Sequence, residues 1–240
     1  AASHSDSGAL ATLVLAPARP DYSEVAVDRG GRVVSIGGTP SVDPDRVAGR
    51  YLFTGCHFLE EEVLDRIPSR GPSDIVRHVY RPLAEEGRLH AFVHRGFWWE
   101  FGAPGEYLEG SLRLLDLPAE TRRSILETDP VRSIGPAVVA VGPGADLHPG
   151  VEFRGRAAIG FASMISEGCR LEDTVVLPET WLGPGCRFRR CIVGPLAEIP
   201  ASFEADGAIV CGDPDPRADL SPGTIRSQGL LLRSFRTGAP

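Results

Sequence analysis

Glu100 stands in the stretch RGFWWEFGAPGEYLEG, Arg95 to Gly110, with Trp98 and Trp99 before it and Phe101 after it. A carboxylate among aromatics is either a solvated strand residue or an acid held in a pocket, and the second is the one that does chemistry. The other residues able to do chemistry are scattered. His90 and His94 share one strand-like segment and could begin a metal site, but they lack an obvious third ligand, and plain surface or hydrogen-bonded core histidines are the favoured reading. His57 and His78 lie in strand and helix patterns, where surface or hydrogen-bonded core histidines are the plainer reading. Cys56, Cys191 and Cys211 have no motif around them, so a structural thiol is favoured over a nucleophile.

Composition bounds the partners. The 240 residues suffice for one large or two small domains. A content of 42% hydrophobic and 24% charged residues is that of an ordinary globular chain. The net charge of −7 turns away nucleic acid and anionic membrane surfaces. No apolar run approaches a membrane span, and the first seventeen residues lack the basic region of a signal peptide. Five cysteines at irregular spacing form neither a disulfide framework nor a zinc knuckle, so a reducing cytoplasm is the expected compartment. The one methionine is Met164, so the chain does not open at a start codon and is expected to be processed or a fragment.

Elements that position Glu100 follow from periodicity. Ala9 to Leu15 reads as a buried strand, and alternating apolar residues on either side of Asp28-Arg29-Gly30-Gly31 predict a hairpin. RYLFTGCHFL is another strand, followed by a short helix that stops before Pro68. Ser73 resembles a cap ahead of Ile75, Val76, Val79 and Leu83, at helical spacing, with Gly87 as the stop. RLHAFVHRGFWWEFG continues as a long strand pattern. GEYLEGSLRLLDL is a helix with Tyr107, Leu108, Leu112 and Leu115 on one face. Residues 1–128 therefore read as α/β.

From residue 129 the period changes to six. Val141, Leu147, Phe153, Ile159, Ile165, Leu171 and Leu177 are apolar in one register. After a one-residue slip the series resumes at Leu182 and Phe188, and after another at Val193 and Ile199. Gly142, Gly160, Gly183 and Gly194 follow four of them. Small or branched residues recur four places on, at Ala145, Val151, Ala157, Ser163, Cys169, Val175 and Cys186. Each hexad is a short strand and a turn, and residues 129–211 are expected to form a left-handed parallel β-helix, with residues 212–240 as a tail. Cys169 and Cys186 then point inward as structural thiols. His148 falls on an outward hexad position.

This order of parts resembles the sugar-1-phosphate nucleotidyltransferases, the NDP-sugar pyrophosphorylases, and the β-helix part is similar to that of their mannose-1-phosphate guanylyltransferase and glucose-1-phosphate thymidylyl/adenylyltransferase branches. The resemblance rests on VAVDRGGRVVSI, on YLFTGCHFL followed by VLDRIP, and above all on GFWWEFGAPGEYLEGSLRLL. The last looks like the family's Trp-x-Asp-x-Gly-Thr-Pro-x-x-Tyr-Leu, matched by Trp98, Gly102, Pro104, Tyr107 and Leu108. It implies that the first half is the C-terminal, sugar-binding part of a Rossmann-like nucleotidyltransferase domain. It further implies that Glu100 is catalytic and helps to bind Mg²⁺, that Tyr22, Thr54, Gly55 and Trp98 contact the substrate, and that the partners are a nucleoside triphosphate and a sugar 1-phosphate. Mg²⁺ takes one or two protein carboxylates and neutralises charge on the phosphoryl oxygens. Aromatic neighbours would exclude water around Glu100 and strengthen its field.

The chain departs from the family pattern. Glu100 replaces an aspartate. Gly38, Thr39 and Pro40 stand where the family has Glu-Lys-Pro, and Ser23 replaces a glycine after Tyr22. The family's Gly-rich triphosphate loop has no counterpart in these 240 residues, its metal-binding Gly-Asp has none ahead of the first strand, and residues 1–8 look like the end of the helix that follows that motif. The resemblance therefore implies an N-terminally truncated chain, inactive alone. The alternative is a non-catalytic regulatory or scaffold relative that binds sugar nucleotide. Either is expected to form homo-oligomers through unpaired β-helix ends and faces. An acyltransferase with His148 as base is a third reading, and it does not need the Trp-rich motif.

Overall fold

The computed structural model describes residues 2–126 and 130–235. The chain forms two compact units, one ending at Trp98 and the other starting at Trp99. The boundary expected between residues 128 and 129 lies outside the described residues.

The first unit opens with a short helix, α1 (Ala2–Ser7). Its sheet holds β1 (Ala11–Pro17), β2 (Glu24–Val27), β3 (Val33–Ile36), β4 (Gly49–Leu59) and β5 (Leu89–Val93), in the order β3-β2-β4-β1-β5. β5 runs parallel to β1, and the other neighbours are antiparallel. Alternation along β1 sends Leu13 and Leu15 to a face covered by Val79, Tyr80 and Leu83. Each such apolar side chain contributes about 1.5–3 kcal/mol by leaving water. The opposite face carries Thr12, whose hydroxyl meets His4 Nδ1 at 2.8 Å. The hairpin turn reaches the far strand: the Ala91 N–H donates to the Gly31 carbonyl at 2.8 Å. A Cβ at Gly31 would lie 2.7 Å from His90 Cε1, so this approach needs glycine.

The helical segment begins as a π-turn, Val76–Tyr80, and continues as α2 (Arg81–Glu85). The expected cap, Ser73, instead contacts His78 Nδ1 at 3.2 Å, and Asp74 Oδ1 accepts the Arg77 N–H at 3.0 Å. The short helix expected ahead of Pro68 is a 3₁₀ turn, Glu61–Arg66. The strand expected to reach Gly102 ends at Val93. His94 still donates its N–H to the Leu15 carbonyl at 2.8 Å, and the following residues form no ladder. Glu100 is therefore not a strand residue.

The second unit is the parallel β-helix. Val141, Ile159, Val176, Val193 and Val210 stack along one face. Leu147, Ile165, Leu182 and Ile199 stack along the second, and Phe153, Leu171, Phe188 and Ala205 along the third. These columns fill a continuous core. The slip placed after Leu177 falls one hexad earlier. The register shifts between Glu172 and Thr174, so Val176 points inward and Leu177 packs outside. Thr174, two places before Val176, and Cys191, two places before Val193, occupy the small corner positions, fully buried, and Val175 faces outward.

Buried polar groups at the corners donate across to neighbouring coils. Thr180 Oγ1 reaches the Gly194 carbonyl at 2.8 Å, and the thiols of Cys169 and Cys186 reach the carbonyls of Gly183 and Pro200, each at 3.2 Å. The contact with Cys169, together with burial, pushes the Cys186 thiol up. Both cysteines are structural, as the hexad register implies.

The first coil is covered by the antiparallel strand Val131–Ile134 and the last by Leu230–Ser234, which pairs with Thr224–Ser227. Residues expected to be a simple tail thus form a two-stranded cap. The unpaired end expected to drive association is closed on this face. The outer surface of the same face is covered by α3 (Pro104–Leu115), whose Leu108, Leu112 and Leu115 pack on Val175 and Ile192. Pro104 at the first turn suits the helix start. A further helix, α4 (Ala119–Leu126), follows. No helix among the described residues is long and apolar enough to cross a membrane.

Candidate functional site

The part of the five-stranded sheet toward the end of β1 carries four of the predicted site residues. β1 finishes there at Pro17, β2 starts at Glu24 opposite Leu52 of β4, and β3 finishes at Ile36 opposite Val25. Tyr22 lies in the turn between β1 and β2, its N–H donating to the Arg19 carbonyl at 3.2 Å. The Arg19 guanidinium lies 5.0 Å over the Tyr22 ring. Trp98 meets the same ring edge-on, with centroids 5.8 Å apart. Tyr22 and Trp98 are both half-buried, so the pair presents an aromatic surface that is also accessible.

Thr54 and Gly55 form a β-bulge on β4. The β1–β4 register shifts between Leu13 and Leu15, opposite this point. The Thr54 hydroxyl donates to the Val14 carbonyl at 2.7 Å and accepts the Cys56 N–H at 3.3 Å, which fixes the bulge from within. Gly55 stands at φ +85°, with open space where a side chain would be. Thr54 is thus occupied in shaping the backbone, and the exposed peptide of Gly55 is the group open to a ligand.

Glu100 belongs to the second unit. Its surroundings differ from the water-excluding aromatic pocket expected of them. Trp99 turns to α3: its indole N–H donates to the Glu106 carbonyl at 2.8 Å, and Arg113 lies 4.7 Å over its ring. A Cβ at Gly110 would fall 2.2 Å from Trp99 Cδ1, so the indole is seated on a glycine of the helix. Phe101 packs edge-on against Tyr107 at 5.8 Å. These two aromatics serve the packing of α3, and the Glu100 carboxylate between them is exposed. One exposed carboxylate suits Mg²⁺, a hard ion that completes its shell with phosphate oxygens and water. Among the described residues no three of His, Cys, Asp and Glu cluster into a protein-only metal site.

The histidines have structural partners. His57 Nδ1 meets the hydroxyl of fully buried Tyr80 at 2.8 Å, and burial pushes that phenol up to about 12. His94 Nε2 lies 3.2 Å from the Phe97 carbonyl. His148 is exposed and accepts the Gly150 N–H at 3.1 Å. Sequence reasoning missed Arg81 of α2, whose Nη2 lies 3.5 Å from the position of a Cβ at Gly37. Nothing in its local pattern marks it, because its place comes from the packing of α2 beside the end of β3.

No family model matches the chain. Curated relatives do. Mannose-1-phosphate guanylyltransferase of Mycobacterium tuberculosis is 26% identical over 182 residues, covering 68% of this chain and 46% of the relative. UTP–glucose-1-phosphate uridylyltransferase of Synechocystis is 24% identical over 205 residues, 77% of this chain and 52% of the relative. Glucose-1-phosphate adenylyltransferase 2 of Alkalilimnicola ehrlichii is 24% identical over 242 residues, 85% of this chain and 55% of the relative. The chain spans about half the length of these relatives. Across that span, the chain is similar to the sugar-1-phosphate nucleotidyltransferases.

Proposed function

We propose that these residues supply the sugar-phosphate side of an enzyme that joins a nucleoside triphosphate to a sugar 1-phosphate. The observation that carries the reading is the run from Trp98 to Leu108 in a chain whose relatives are named for nucleotidyl transfer to hexose 1-phosphates. In that reaction an oxygen of the sugar phosphate attacks the α-phosphorus of the triphosphate, pyrophosphate leaves, and an NDP-sugar forms. Tyr22 and Trp98 offer a surface for the sugar ring, and the Gly55 backbone offers polar groups to its hydroxyls. Glu100 would hold Mg²⁺, which when bound supplies charge neutralisation on the phosphoryl oxygens.

The three relatives differ in nucleotide and in sugar, so the reading names the class of reaction and leaves base and sugar open. Work in the cytoplasm and self-association are part of it. The exposed Phe161, Met164, Trp181 and Leu196 of the β-helix support association.

The purified 240-residue chain, given a nucleoside triphosphate, a hexose 1-phosphate and Mg²⁺, is expected to release no pyrophosphate, because it holds no Gly-rich triphosphate loop. Adding a polypeptide that carries the loop is expected to start release. A coupled pyrophosphate assay checks both. Release by the chain alone, or silence after complementation, would count against this division of labour.

A further inference from the structure

Among the described residues, Arg81 is a cation without an anion. Its Nε is buried and has no hydrogen-bond partner, and no carboxylate pairs with its guanidinium. The carboxylate of Glu24, a residue whose backbone bonds to the turn that Arg81 reaches, is engaged by Arg50. Arg81 nonetheless keeps partial exposure. An arginine has five N–H donors in a fixed fork, so a guanidinium with no carboxylate partner and one buried, unmatched edge carries a cost that an anion reaching its exposed part would offset.

Its position says which anion. Nη2 approaches Gly37, at the end of β3, and the Gly37 N–H donates to the Glu24 carbonyl at 2.7 Å. Glu24 follows Tyr22 by two residues, in the part of the sheet where the Tyr22–Trp98 pair and the Gly55 bulge also lie. The turn itself, Gly37-Gly38-Thr39-Pro40, carries no charged side chain, and Arg81 brings a charge to it. Aromatic surface, open backbone and guanidinium fork together suit a ligand with an apolar ring face, hydroxyls and a phosphate.

We propose that Arg81 binds the phosphate of the sugar phosphate, entering from the α2 side of the Gly37 turn. The assignment rests on the sugar-phosphate reading of this part of the sheet. It makes Arg81 a specificity residue that separates phosphorylated from free sugar, and it gives the uncharged Gly37–Pro40 turn the role of leaving the guanidinium uncovered.

Calorimetric titration of the intact chain with glucose 1-phosphate, mannose 1-phosphate and the free sugars tests this. Arg81→Gln is expected to weaken the sugar phosphate about 10- to 100-fold, the worth of one lost charge-assisted contact, and to leave any free-sugar binding unchanged. Arg81→Lys is expected to recover part of the loss. A second route leaves Arg81 in place. Gly37→Asp sets a carboxylate beside the guanidinium at a φ of +58° that Asp and Asn tolerate. It should weaken the sugar phosphate about tenfold relative to Gly37→Asn, because the new carboxylate competes with the phosphate for the same cation. Folding of each variant is checked by circular dichroism. If wild type binds the sugar phosphates and neither Arg81→Gln nor Gly37→Asp moves the Kd, the role of Arg81 is overturned alone. If wild type binds neither phosphate, the sugar-phosphate reading falls with it.

Discussion

Replacing Glu100 by alanine is expected to lower kcat by about 100- to 1000-fold in the enzyme assembled with a triphosphate-binding segment. The carboxylate is exposed, with its aromatic neighbours committed to α3, so its loss should cost almost no stability. An effect confined to turnover marks a group whose interaction is made in the transition state. Glu100→Asp keeps a hard oxygen donor and should retain most activity. Steady-state kinetics across a Mg²⁺ titration separates the readings. A Glu100→Ala enzyme with unchanged kcat and unchanged Mg²⁺ dependence would show Glu100 to be a solvated surface acid, and the non-catalytic alternative would then account better for the chain.

Truncating Leu182 to alanine is expected to cost about 2–5 kcal/mol, because the side chain is fully buried in the column Leu147–Ile165–Leu182–Ile199 and rigid coils above and below cannot collapse into the space. Leu177→Ala should cost clearly less. Leu177 is half-buried on the outer surface under α3, where neighbouring side chains can shift. Urea unfolding of the two variants measures the difference. Equal losses, or a larger loss at Leu177, would contradict the inward register.

The hexad residues were legible because a β-helix core repeats the same local geometry, so Phe153, Ile159, Ile165 and Leu171 announce it without any long-range knowledge. The position of the slip was not. Val175, Val176 and Leu177 are all apolar, since one side of this face packs the core and the other packs α3, and composition alone does not tell the sides apart. Cys169 and Cys186 were placed by register. Cys191 was not, because counting four places on from Phe188 lands on Ile192, and the second slip moves the corner back by one. Around Glu100 the residue types suggested a pocket, but the partners of Trp99 and Phe101 are Gly110 and Tyr107, and that choice is tertiary. Thr54 and Gly55 read as part of a plain strand, and the bulge there emerges only in the pairing of β4 with β1. Arg81 had no local signal at all.

The most direct test of the sugar-phosphate reading is amide and indole chemical-shift mapping of the chain during titration with glucose 1-phosphate or mannose 1-phosphate. Saturable shifts are predicted at Tyr22, Gly37 and Gly55 and at the Trp98 indole, with the β-helix coils unmoved. Shifts confined to the β-helix, or none at these four residues at saturating ligand, would contradict the account.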